Sequence, residues 1–124
     1  MGAKENFSVA QDLQDAFARG DFKRLGELTA SDVIWHEIGR SEPLRGRAAL
    51  EGEAPGQTDY EITGETHDIL ASDDHAIVLV EAKATRGGQT LTYRTAEIYH
   101  IRDGQVAERW SFSDDTERIA RFFA

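Results

Sequence analysis

Apolar residues recur at helical spacing early in the chain and at alternating spacing through its second half. Val9, Leu13, Ala16 and Phe17 form a stripe at helical period. The preceding Ser8-Val9-Ala10-Gln11 suits a capping box, so a first helix is expected to start near Ser8 and to end at Gly20. Asp21 caps a second, shorter helix in which Phe22, Leu25 and Leu28 face inward. Val33 to Ile38 is β-branched and aromatic and reads as a strand. A loop carrying Pro43 runs from Gly39 to Gly46. Arg47 to about Gly52 predicts a short third helix, stopped by Gly52 and Pro55, with Gly56-Gln57 as a linker.

Strand patterns then dominate. Asp59 to Leu70 is one run, with a kink or bulge expected at Gly64. Ser72-Asp73-Asp74 is a turn. His75 to Arg86, Thr90 to Arg102 and Gln105 to Ser113 are strands separated by the two-residue hairpin signals Gly87-Gly88 and Asp103-Gly104. Asp114 or Asp115 caps a last helix bearing Ile119, Phe122 and Phe123. Helices segregated from hairpins predict a single α+β domain over residues 1–124: a strongly curved, mostly antiparallel meander wrapped on the N-terminal helices.

Period-two alternation assigns faces. Leu91, Tyr93, Thr95, Glu97, Tyr99 and Ile101 share one side of their strand; Arg94, Ala96, Ile98, His100 and Arg102 share the other. Ile77, Leu79, Glu81 and Lys83 alternate with Val78, Val80, Ala82 and Ala84. Apolar residues on both faces predict helices and a pocket on one side, and a second copy, making a homodimer, on the outer side. Glu97 lies mid-strand among residues suited to burial, where an unpaired carboxylate is costly. It either pairs with an arginine such as Arg109 across the sheet or serves the pocket with a proton retained by burial. His36 shares parity with Ile34 and Ile38, opposite Trp35 and Glu37.

Charge and composition narrow the partners. The net charge of −9 argues against nucleic acid and anionic membranes. The polar start Met-Gly-Ala-Lys-Glu-Asn lacks a signal-peptide pattern, and no apolar run approaches the ~20 residues of a membrane span. With no cysteine, disulfides and thiolate chemistry are excluded and a cytoplasmic setting is expected. His36, His67, His75 and His100 fit no metal-ligand spacing, and His75 and His100 are expected as solvated strand-end residues. No metal or other cofactor is expected.

Gly20-Asp21-Phe22, Asp32-Val33-Ile34-Trp35-His36, Ser41-Glu42-Pro43-Leu44-Arg45-Gly46-Arg47-Ala48-Ala49-Leu50 and the closing Arg102-Asp103-Gly104-Gln105-Val106 … Glu108-Arg109-Trp110 resemble the SnoaL-like and ketosteroid-isomerase-like branch of the nuclear transport factor 2-like superfamily. The resemblance implies a curved sheet over three helices, an apolar cavity and commonly a dimer. It places His36 near the carboxylate base at the end of the first strand, and Glu97, two residues before Tyr99, at the acid of the oxyanion hole. Leu13 falls where the isomerases use a tyrosine of the first helix. The positions resembling those of limonene-epoxide hydrolases are Leu79, Glu81 and Ser111, of which only Glu81 suits that chemistry. The 47–58 region is short beside that of many relatives, which is expected to widen the pocket mouth.

The resulting expectation is an isomerase- or polyketide-cyclase-type enzyme moving a proton on a small hydrophobic carbonyl compound. His36 would be the base, Glu97 a protonated donor, and Glu81 the group that orients His36 or a water. Trp35, Tyr93, Tyr99, Arg109 and Ser111 would line the substrate cavity. The alternative is a non-catalytic binding or dimerisation module for a hydrophobic metabolite, favoured if Arg109 neutralises Glu97 and Trp35 fills the mouth.

Overall fold

The computed structural model describes residues 2–51 and 58–124. Helix α1 (Ala3–Arg19) and helix α2 (Phe22–Glu27) are followed by β1 (Thr29–Trp35), the two-residue β2 (Leu44–Arg45) and α3 (Arg47–Glu51). Four long strands come next: β3 (Tyr60–Ala71), β4 (His75–Arg86), β5 (Gln89–Arg102) and β6 (Gln105–Ser113), before the closing helix α4 (Thr116–Phe123). The six strands form one sheet in the order β2-β1-β6-β5-β4-β3. The expected α+β architecture, N-terminal helices on a curved and mostly antiparallel sheet, is what forms.

The hairpins follow their turn chemistry. Gly87 and Gly88 have φ of 56° and 79°, and Asp103 and Gly104 have φ of 53° and 77°. Positive φ at both central residues matches the right-handed twist of the flanking strands. The β4–β5 pairing continues in register to the Gly87-Gly88 turn, so the alternation read from the sequence carries across these two strands, while β3 shifts register once along β4. Val78, Val80 and Ala82 of β4 and Tyr99 of β5 pack with Leu13 and Val9 of α1 and with Val33 and Trp35 of β1.

Several boundaries differ from expectation. Helix α1 begins at Ala3, not near Ser8. Ser8 lies inside it, with its hydroxyl donating back to the Lys4 carbonyl, and Glu5 accepts from the Gly2 amide at the true start. Buried Asn6 adds a long-range anchor, donating to the Ser72 and Asp73 carbonyls at 3.0 and 2.8 Å. Phe17 and Phe22, expected to face inward, are both 49% exposed. The buried stripe of α1 runs through Val9, Ala10, Leu13 and Ala16 instead.

Strand β1 starts four residues early because its pairing with β6 is parallel, a connection that local alternation does not report. The bulge of β3 falls between Thr66 and Asp68 rather than at Gly64. Gly64 serves close packing, since an added Cβ would stand 3.0 Å from Val80 Cγ1. In the loop after β1, Gly39 has φ 81°, and an added Cβ there would meet the Ala120 Cβ of α4 at 2.9 Å. The expected stop of α3 at Gly52 and Pro55, the Gly56-Gln57 linker and the widened mouth at 47–58 fall wholly or partly outside the described residues.

Among the described residues no helix is long and apolar enough to cross a membrane. The Asn6 anchor generates a stability prediction. Asn6→Ala removes both bonds from α1 to the β3–β4 turn and leaves two carbonyls short of a donor, which should lower unfolding free energy by about 1–3 kcal/mol, read from the urea midpoint.

Candidate functional site

The polar residues of the concave face converge on Glu97. Strand register puts Glu97 opposite Ser111, and Tyr99 opposite Arg109, on one face of β5 and β6. Glu97 Oε1 accepts from the Tyr99 hydroxyl at 2.8 Å and from Arg109 Nη2 at 3.1 Å, while its Oε2 accepts from the Thr95 hydroxyl at 3.1 Å. The Tyr99 oxygen in turn accepts from Gln14 Nε2 of α1 at 3.3 Å. All the partners of the carboxylate are donors, so Glu97 is held as an acceptor. The reading in which it pairs with Arg109 across the sheet is the one that forms; the reading in which it keeps a proton for a ligand is not supported by this geometry.

Arg109 is the hub. Its Nη1 donates to the His36 carbonyl at 3.0 Å, and its Cζ lies 4.6 Å from the centroid of the Trp35 ring. Trp35 tilts against Tyr99 with ring centroids 6.3 Å apart. Burial alone would pull the guanidinium down, but Glu97, Tyr99 and Glu37 together hold it above its ordinary value. Burial, and then the charge of Glu97, push the Tyr99 hydroxyl far up. The same two causes push Tyr93 up to about 12. Both phenols are therefore neutral donors at physiological pH. The side chains of Arg109 and Glu97 are only 11% and 15% exposed, so their ion pair is shielded from solvent.

Two hydrogen-bonding atoms here remain unused. Ser111 Oγ and Arg109 Nε are buried without a partner among the described residues. A polar atom buried in this way normally meets a water or a ligand. The open grooves of about 430 Å³ beside α1 and α2, and of about 510 Å³ beside α4 and the start of β5, both lie away from Glu97.

The structure thus brings Trp35, Tyr93, Tyr99, Glu97, Arg109 and Ser111 to one side. It does not bring His36 or Glu81 there. His36 Nε2 lies 2.7 Å from Glu108 Oε2, and its ring stacks on Trp110 with centroids 5.8 Å apart. This is the outer face, because Glu108 and Trp110 alternate with Arg109. Glu81 stands opposite Arg94 on that same outer face and reaches it at 3.5 Å. The expectations that His36 shares a hollow with Glu97, and that Glu81 orients it, are corrected by strand parity: Trp35 and His36 are neighbours, so only one can point inward.

Glu37 joins this set without any motif in the sequence singling it out. It is half-buried, and its charge acts on both Tyr93 and Arg109, which places it with the concave set. Its shared parity with Trp35 was the available signal.

A family model described as a SnoaL-like domain matches residues 10–109. Among solved structures, Bal32a from a soil-derived mobile gene cassette is 26% identical, with a TM-score of 0.86 and 98% of each chain covered. A Xanthomonas campestris protein of unknown function with a cystatin-like fold is 27% identical, with a TM-score of 0.82, covering 96% of this chain and 98% of the other. IdmH of Streptomyces antibioticus, a candidate polyketide cyclase, is 24% identical with a TM-score of 0.73, covering 94% of this chain and 97% of its own; at that identity it speaks for the fold alone. No curated protein matches the chain.

The raised phenol values fix a pH dependence. Tyr93 stands above its ordinary value of 10.0 in the folded chain, so the stability it contributes is intact below about pH 10 and is lost as pH rises toward about 12. Tyr93→Phe should reduce the alkaline loss of stability between those limits, measured by urea unfolding across that pH range, and should remove a late step from the phenolate absorbance titration.

Proposed function

Because the chain belongs to the SnoaL-like domain family, we propose that it is an isomerase- or cyclase-type enzyme that moves a proton on a small apolar carbonyl compound held against the concave face. The observation that carries the reading is the pair of buried, partnerless atoms, Ser111 Oγ and Arg109 Nε, on the wall that also holds Glu97. Both can donate to one class of acceptor, a carbonyl oxygen that gains negative charge as an α-proton leaves. Glu37, just past the end of β1 and next to the position the resemblance gives to the base, takes that role on the inner side: it removes the α-proton and returns it to another carbon. Tyr93 is a further neutral donor. Glu97 acts indirectly, by holding Arg109 and Tyr99 in place. Trp35, Leu91 and Val80 supply apolar wall, and the pairing of Arg109 with Glu97 cancels those two charges, which suits a neutral ligand. The lack of cysteine supports a cytoplasmic setting.

A second reading is favoured by one observation. Arg109 neutralises Glu97 and stacks on buried Trp35, the arrangement expected of a non-catalytic module that holds a hydrophobic metabolite. Deuterium exchange separates the two. With β-tetralone, an apolar ketone with acidic α-protons, the protein should accelerate exchange followed by proton NMR. Glu37→Gln should lower that rate by about 10²-fold or more, and His36→Ala should leave it unchanged. Retention of the ketone with no accelerated exchange supports the binding module, and exchange that survives Glu37→Gln overturns the assigned base.

The outer face is proposed as a homodimer contact. Leu70, Ile77, Ile98 and Trp110 lie in one cross-strand row, and Leu79, Ala96 and Phe112 in the next. Phe112 is 58% exposed and Leu70 52%. Beside these rows the Glu81–Arg94 pair offers both signs of charge, which lets the surface meet its own copy about a two-fold axis. Phe112→Glu should convert a dimer to a monomer in light scattering with unchanged circular dichroism; a wild-type monomer at high concentration would refute the contact.

A further inference from the structure

The outer face carries a titratable row that the concave site does not use. Register places His75 of β4 opposite His100 of β5, and His100 opposite Glu108 of β6, with His36 bonded to Glu108 beyond it. His75 Nε2 and His100 Nδ1 face each other at 3.4 Å, with ring planes inclined at 61°. The contact is a long hydrogen bond whose donor depends on the tautomers, and an ion bound by both nitrogens would take the place of its proton. The separation is that of two ligands on one ion: imidazole nitrogens each about 2.1 Å from a tetrahedral zinc stand about 3.4 Å apart.

We propose that His75 and His100 form a cross-strand chelate for a divalent transition-metal ion such as Zn²⁺ or Ni²⁺. Among the described residues no group of three or more histidines, aspartates or glutamates is arranged to enclose an ion, so the chelate is completed by water. Both rings are half-buried, which limits their freedom before an ion arrives while leaving one side open to solvent. The strands hold the pair in register, so little ordering remains to be done on binding. Glu108, already oriented by His36, puts a carboxylate on the same face opposite His100. The net charge of −9 draws cations toward the surface. Imidazole pairs select late first-row ions over Mg²⁺ and Ca²⁺, which prefer oxygen.

Isothermal titration of the intact chain with Zn²⁺, and separately with Ni²⁺, tests the assignment. One ion should bind per chain, and Mg²⁺ should not compete. His75→Ala and His100→Ala should each weaken binding at least about tenfold. His67→Ala, exposed on β3 and outside the row, should bind as the wild type does. Circular dichroism checks each variant, and His100→Gln replaces His100→Ala if the latter fails to fold. Absence of a one-to-one site in the wild type, or equally tight binding by the His75→Ala His100→Ala double variant, overturns the proposal.

Discussion

The concave side of this protein depends on one buried cation. Arg109 lies against Trp35, bonds the backbone where β1 ends and meets Glu97 across the strand pair. A guanidinium in such a place is tolerated only because a carboxylate, a carbonyl and an aromatic face all receive it. In holding Arg109, Glu97 also fixes Tyr99, which reaches Gln14 of the first helix. One polar chain therefore connects sheet, helix and the end of the first strand. The site and the packing of α1 on the sheet are parts of the same network.

The sheet keeps two chemistries apart by alternation. Inward positions of β5 and β6 carry the ion pair and the phenols; outward positions of the same strands carry apolar rows and His100. Since neighbouring residues point in opposite directions, a catalytic assignment to His36 and one to Trp35 or Glu37 exclude each other. At the end of β1 the pleat puts His36 on the outer side and the adjacent Glu37 with the inner set.

The long strands, both hairpins and the closing helix were legible because their signals are local: β-branched alternation, Gly-Gly and Asp-Gly turns, an Asp cap. The partnership of Glu97 with Arg109 was legible too, since a mid-strand carboxylate demands a cation. The parallel pairing of β1 with β6 was not, because it joins segments more than 70 residues apart in the chain. The start of α1 was misplaced for a similar reason. Asn6 gains its role only when the β3–β4 turn arrives beside it, and Ser8 offers a cap that tertiary contact overrules. Parity sorted residues into two sets correctly but could not tell which set faces the helices for β1 and β4, and that ambiguity carried His36 and Glu81 to the wrong side.

The contact between Gly39 and Ala120 ties the loop after the first strand to the final helix, with no room for a methyl group between them. The two segments lie about 80 residues apart in the chain and meet at this one contact. A side chain at position 39 would displace the last helix, so changes in one segment must be matched by changes in the other. Substitutions at these two distant positions would therefore have to be paired rather than drift independently.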